Sequence, residues 1–279
     1  MPCNFPAQFM LQCGMIVLSM QGAAMAYIIG NRDDLDEKQT PSREPGWLSW
    51  LGELRVFAEM GALAPALPAL LNAPRGDGHG VLVLPGMLTG DEATFVIRRY
   101  LDQLGYATHP WNQGHNWGPS RALHEALRER LRELATRYGR RISLVGWSLG
   151  GIYARELARE YPQLVRQVVT LGSPFGADHD PGGHINGQVN GHSAERATRR
   201  RIAPPVPCTA IYSKSDGVVS WEDCREANGP QTDNIEVTAT HLGMGVNPMV
   251  LWAIADRLAQ AEGAWKPFDR TGWHGVVYG

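Results

Sequence analysis

The stretch Ile142–Tyr161, ISLVGWSLGGIYARELAREY, decides the fold. Its opening residues, Ile142–Val145, form a short apolar run of the kind that fills a strand buried on both faces, and Leu149–Tyr161 reads as a helix. Between them stands Gly146-Trp147-Ser148-Leu149-Gly150, a G-x-S-x-G pattern. Alone the pattern is a weak signal, but here it sits on a strand-to-helix turn. The glycines have a physical task there. Ser148 is expected in a sharp, positive-φ corner, and a Cβ two residues to either side would strike the adjoining strand and helix. Ser148 also opens a helix, whose amino-terminal dipole favours a developing negative charge.

Working outward, further strands are expected at Val81–Leu84 (ending in Pro85-Gly86), Tyr106–Trp111, Val165–Leu171, Thr209–Ser213 and Ile235–Thr240. Helices are expected at Ala93–Leu104, Pro119–Tyr138 (Leu123, Leu127, Leu131 and Leu134 in a four-residue rhythm) and Pro248–Ala261, the last with Asn247 as N-cap and Pro248 in the first helical position. Strand and helix alternate, which predicts an α/β fold with a mostly parallel central sheet flanked by helices. Reactive groups in such sheets gather at the carboxyl ends of the strands.

A serine hydroxyl needs a base, and the base needs an orienting carboxylate. Asp216 follows the strand ending at Ser213, in Lys214-Ser215-Asp216-Gly217; His241 follows the strand ending at Thr240. Both fall at strand carboxyl ends, in the order Ser, Asp, His. Asp178, Asp180, Asp223 and Asp233 compete for the acid role, but none combines a strand end with a turn glycine. His109 and His115 precede the elbow, His179, His184 and His192 lie in a Gly/His/Asn-rich loop, and His274 is in the tail.

Residues 78–262 resemble the α/β-hydrolase superfamily on its lipase/esterase side, through VLVLPG (81–86), GWSLGG (146–151), LGSPFG (171–176), SKSDGVV (213–219) and THLGM (240–244). The segment WNQGHNWGP (111–119) is similar to the tryptophan- and asparagine-bearing loop of some bacterial lipases. The resemblance implies an α/β-hydrolase domain over 47–279, a short lid-like insertion at 177–207, and a serine carboxylic-ester hydrolase acting without cofactor or metal. Ser148 would be the nucleophile, His241 the base and Asp216 its partner. Two N–H donors are needed for the oxyanion. Leu149 supplies one and Met87, or failing that Gly86, the other; Pro85-Gly86 stands where many lipases have His-Gly. Gly86, Trp111, Trp117 and Trp147 are the expected substrate contacts. An acyltransferase or amidase on the same triad, and a non-catalytic membrane-docked protein, are the alternatives.

Composition is that of a globular chain. Hydrophobic residues make up 43% of the 279 and charged residues 19%, enough apolar material for a core. The net charge of −2 gives no basic field to hold nucleic acid. The four cysteines include no zinc-ligand spacing; a Cys208–Cys224 disulfide pinning the Asp216 loop and a pair of free thiols are both open. Residues 1–31 carry no charged side chain, and 31–46 (NRDDLDEKQTPSREPG) read as a solvated linker. The first segment would pack on the domain or on a second copy, or serve as a peripheral or single-span membrane anchor; as a secretory signal it would be degenerate, lacking the positive start. The expected location is cytoplasmic or peripheral to a membrane. Trp47–Leu71 is helical in spacing through Leu48, Leu51, Leu54, Phe57 and Ala58, with a break or kink expected at Pro65 and Pro68; it would pack on the main domain or set Trp47 and Trp50 in a lipid interface.

Overall fold

The computed structural model describes residues 55–177 and 198–279. The expectations for residues 1–54, including the linker and any docking role of 1–31, and for most of the lid-like loop fall outside these residues. Strands β1 (Gly80–Leu84), β2 (Ala107–Pro110), β3 (Ile142–Trp147), β4 (Val165–Leu171), β5 (Cys208–Tyr212) and β6 (Thr232–Glu236) form one sheet in the order β2-β1-β3-β4-β5-β6. Every pairing is parallel, with Val81 opposite Ser143, Ile142 opposite Val165, Val168 opposite Cys208, and Cys208 opposite Thr232.

Helices α1 (Val56–Leu71), α2 (Phe95–Gln103), α3 (Arg121–Tyr138), α4 (Leu149–Glu160) and α5 (Pro248–Leu258) cover the sheet, and a short turn of helix, α6 (His274–Val277), closes the chain. The strand alternation sorts two cores. Val81, Val83, Val145 and Val169 face α1, α2 and α5. Leu82, Leu84, Leu144 and Val168 face α3 and α4. Ser120 caps α3, its hydroxyl accepting from the Leu123 N–H, and Gly139 ends it at φ 58°. Asn247 caps α5 by accepting from Met249 N–H, with Pro248 behind it, as the sequence predicts.

Three expectations are corrected. α1 runs unbroken through Pro65 and Pro68. The carbonyls that lose their partners belong to Gly61 and Ala64, both exposed residues, so the missing N–H groups leave no stranded acceptor in the core. Phe57 lies 42% exposed, because α1 buries Val56, Leu63 and Leu70. β6 starts at Thr232, not Ile235, and ends at Glu236. Its partner β5 bonds the polar run Thr232–Asn234, and beyond Val237 the chain turns to side-chain acceptors: Ala239 N–H donates to Ser213 Oγ at 3.2 Å.

The chain runs from β1 out to the edge strand β2 and then returns to lay β3 on the other side of β1. The loops leaving β1 and β3 therefore diverge at a topological switch point, where the carboxyl ends of parallel strands leave a crevice.

Candidate active site

Ser148 occupies the corner between β3 and α4 at φ 52°, ψ −123°, a region that L-residues rarely adopt. Close packing enforces the corner. A Cβ on Gly146 would lie 2.4 Å from Gly150 O, and one on Gly150 would lie 2.3 Å from Leu84 O. One on Gly151 would overlap Ser173 Oγ. Ser148 N–H donates to Leu171 O at 2.8 Å, fixing the elbow to the end of β4.

The residues expected as acid and base follow β5 and β6. Asp216 follows β5 and His241 stands five residues beyond β6, and the two side chains meet with Nδ1 of His241 2.7 Å from Oδ2 of Asp216. The other carboxylate oxygen accepts from Val218 N–H (2.8 Å) and Val219 N–H (2.9 Å), so Asp216 is held as an acceptor on both sides. Both residues are buried. Gly172, at φ 49°, leaves room for this pair: a Cβ there would sit 3.1 Å from Asp216 Oδ2 and 2.9 Å from Met244 Sδ. The His241 ring packs beside Trp147, the neighbour of Ser148, with centroids 6.4 Å apart.

On the other side of the elbow Gly86 is buried against Ser148, whose Cβ would be 3.3 Å from a Gly86 side chain. Met87 is half-buried and Leu149 buried; among the described residues no backbone carbonyl accepts from either N–H. The expected tryptophans do not gather. Trp111 is wholly buried and donates its indole N–H to Gly114 O at 3.0 Å, packed in the core against α3 and α4. Trp147 is likewise a core residue beside His241, and Trp117 is 69% exposed, stacked on His115.

The competing acids have other partners or positions. Asp233 holds Arg270 and accepts from Phe268 N–H. Asp223 sits in the turn Trp221–Cys224, its carbonyl accepting from Gly176 N–H at 2.7 Å. Asp178 and Asp180 lie outside the described residues. Cys208 and Cys224 are free. Cys208 Sγ–H donates to Val206 O and Cys224 Sγ–H to Ser220 O, and burial pushes the Cys208 thiol up to about 11 and the Cys224 thiol well up. The disulfide alternative therefore falls: each thiol is an inert core group with a local acceptor. Among the described residues no cluster of His, Cys, Asp or Glu is placed to hold a metal ion.

Two features were missed. Glu59 on α1 accepts from Thr240 N–H (2.7 Å) and Asn247 Nδ2 (3.0 Å), and Gly243 is packed so close to the carboxylate that a Cβ would overlap it. It grips the loop carrying His241 from a helix 180 residues earlier in the chain, a separation over which spacing carries no signal. At the opposite end of the sheet, Asp77, His79 and Ser143 form a second Asp–His–Ser chain, with His79 Nε2 2.9 Å from Ser143 Oγ. His79 and Ser143 are wholly buried, so the pair ties a loop to β3 away from solvent, with Asp77 at the exposed end.

No family model matches the chain, and no curated protein matches it. Solved structures do. Aspergillus fumigatus lipase B aligns with a TM-score of 0.54 at 16% identity over 67% of this chain, which spans 54% of that enzyme. The mature lipase BlEst2 of Bacillus licheniformis gives 0.51 at 16% identity over 68% of this chain and 95% of its own. A Paleococcus ferrophilus monoacylglycerol lipase gives 0.50 at 14% over 67% and 96%. At these identities the likeness is one of fold. Six parallel strands, a strained serine corner after the third and a switch point beside it make this an α/β-hydrolase fold.

Proposed function

We propose that the protein is a serine hydrolase of carboxylic esters, with a small-molecule ester or lipid as substrate. The observation that carries the reading is Ser148 at a positive-φ strand–helix corner, at the same end of the sheet as the buried Asp216–His241 pair. A strained corner of this kind is retained where its position matters to chemistry, and all three groups follow the carboxyl ends of strands in one parallel sheet. The lipase relatives in fold agree with it.

In the reaction, His241 removes the Ser148 hydroxyl proton as Oγ attacks the ester carbonyl. The oxyanion rests on the N–H groups of Leu149 and Met87. The tetrahedral adduct collapses to an acyl-enzyme while His241 passes its proton to the leaving alkoxide. Water, deprotonated by His241, then attacks the acyl-enzyme, and the acid leaves as Ser148 regains its proton. Asp216 accepts from the Nδ1–H throughout, holding the useful tautomer and stabilising the imidazolium.

The test is a panel of p-nitrophenyl esters of increasing acyl length, run beside labelling with a fluorophosphonate. Wild-type protein is expected to turn over short esters and to take the label on Ser148. Ser148→Ala should lose the label and about 10⁴- to 10⁶-fold of kcat. Full activity in that variant at matched purity removes Ser148 as nucleophile.

A further inference from the structure

Asn116 is wholly buried and uses every hydrogen-bonding group it has. Its backbone N–H donates to Thr89 O (2.9 Å), and its carbonyl accepts from Leu88 N–H (2.7 Å). Its Nδ2 donates to Pro85 O (3.1 Å). Its Oδ1 accepts from Gly118 N–H (3.2 Å) and from the Tyr153 hydroxyl (3.2 Å) on α4. One side chain thus joins the loop after β1 to the helix that begins at Ser148.

Inside that loop, the Thr89 hydroxyl donates to Gly86 O at 2.9 Å. In a trans peptide the N–H points opposite the carbonyl. Fixing Gly86 O therefore fixes the direction of the Met87 N–H, which belongs to the same peptide unit. The next residue, Leu88, is held at φ 62°, a conformation leucine adopts only when its surroundings over-determine it. The bonds to Asn116 on both sides of Leu88 do so. Asp91 reinforces the arrangement, accepting from Trp111 N–H (2.9 Å) and Asn112 N–H (3.2 Å) and so docking the loop that carries Asn116.

We propose that Asn116 and Thr89 are the positioning residues of the oxyanion site: Asn116 clamps the Pro85–Thr89 loop to α4, and Thr89 aims the Met87 N–H alongside that of Leu149. The proposal rests on the ester-hydrolase reading and adds to it the source of the second donor's alignment. Neither residue touches substrate; both act through the Met87 peptide. An oxyanion donor is worth about 10²- to 10³-fold in kcat, and it counts in the transition state and not in substrate binding.

The experiment compares Asn116→Ala and Thr89→Val with wild type on a short p-nitrophenyl ester, together with inhibition by an arylboronic acid, whose tetrahedral adduct with serine places an oxygen in the oxyanion site. Asn116→Ala is expected to lose about 100-fold in kcat with KM within threefold, and boronate affinity should fall in parallel. Thr89→Val, nearly isosteric, should lose about tenfold in the same direction; it decides the matter if Asn116→Ala does not fold. The proposal is overturned if the folded variants keep kcat within threefold, or if the loss lies in KM with boronate affinity unchanged. A wild-type protein that neither hydrolyses esters nor takes a fluorophosphonate on Ser148 would overturn the hydrolase reading and this proposal together; active wild type with insensitive variants overturns the clamp alone.

Discussion

Asp216 and Asp223 lie seven residues apart and differ in what surrounds them. Asp216 has one oxygen on His241 and the other on two backbone N–H groups, whereas Asp223 sits in a turn whose backbone supports Gly176. Asp216→Asn should therefore lower kcat by about 10²- to 10⁴-fold, since an amide can hold the imidazole in the wrong tautomer. Asp223→Asn should stay within about threefold, because its backbone carbonyl is kept. Steady-state turnover of a short ester separates the two; a near-wild-type Asp216→Asn would move the acid role elsewhere. Much of this was legible in the residues. Ser148, Asp216 and His241 each stand beside a turn glycine, a signal local in sequence. The tryptophans carried no such signal: Trp111 and Trp117 lie in one short loop, yet the first is buried and the second exposed, which depends on how the loop docks on Asp91.

At the scale of elements, the strongly apolar strands announced themselves, and β4 falls on Val165–Leu171 as expected. β6 did not, because an edge strand with Thr, Asp and Asn in its first three positions has no apolar period to read. α1 was legible as a helix but not as a brace. Its Glu59 fixes the loop between β6 and α5, so Glu59→Ala should loosen His241 and lower kcat by about 10- to 100-fold, while Glu59→Gln, which keeps one acceptor oxygen, should lose less. Equal activities of Glu59→Ala and wild type would show that α5 alone sets the loop. A comparable tie links α4 to the segment entering β5. Arg155 lies over the Phe175 ring at 3.7 Å, pairs with the buried Glu226, and donates to Arg200 O (2.9 Å) and Ile202 O (3.1 Å). Arg155→Ala strands the Glu226 charge in the interior and is expected to cost about 3–5 kcal/mol in urea unfolding. A loss below 1 kcal/mol would mean that Glu226 finds water.

For the molecule as a whole, the two ends of the sheet are built for different purposes. At the amino end His79 is buried between Asp77 and Ser143, and burial holds its pKa below the ordinary histidine value. The unfolded chain, with a histidine near 6.5, takes up a proton there that the folded chain refuses, so stability falls as pH drops below about 6.5. Urea midpoints between pH 7.5 and 5 should show this slope, made shallower by His79→Gln; identical slopes would assign it to other groups. Asp77 acts in the same sense at lower pH. Its burial favours the neutral form, but bonds from His79, Arg140 and Arg166 outweigh that and hold the carboxyl well below the usual range. The carboxyl end is arranged otherwise. The positive φ of Ser148 is a standing conformational cost of about 1–3 kcal/mol borne by every folded molecule, whether or not substrate is present. Glycine would sit there without strain, and its extra freedom in the unfolded chain offsets only about 0.5–1 kcal/mol. The inert Ser148→Gly protein should then melt at a higher temperature than the working one, so that selection for heat resistance alone would drive this fold away from activity.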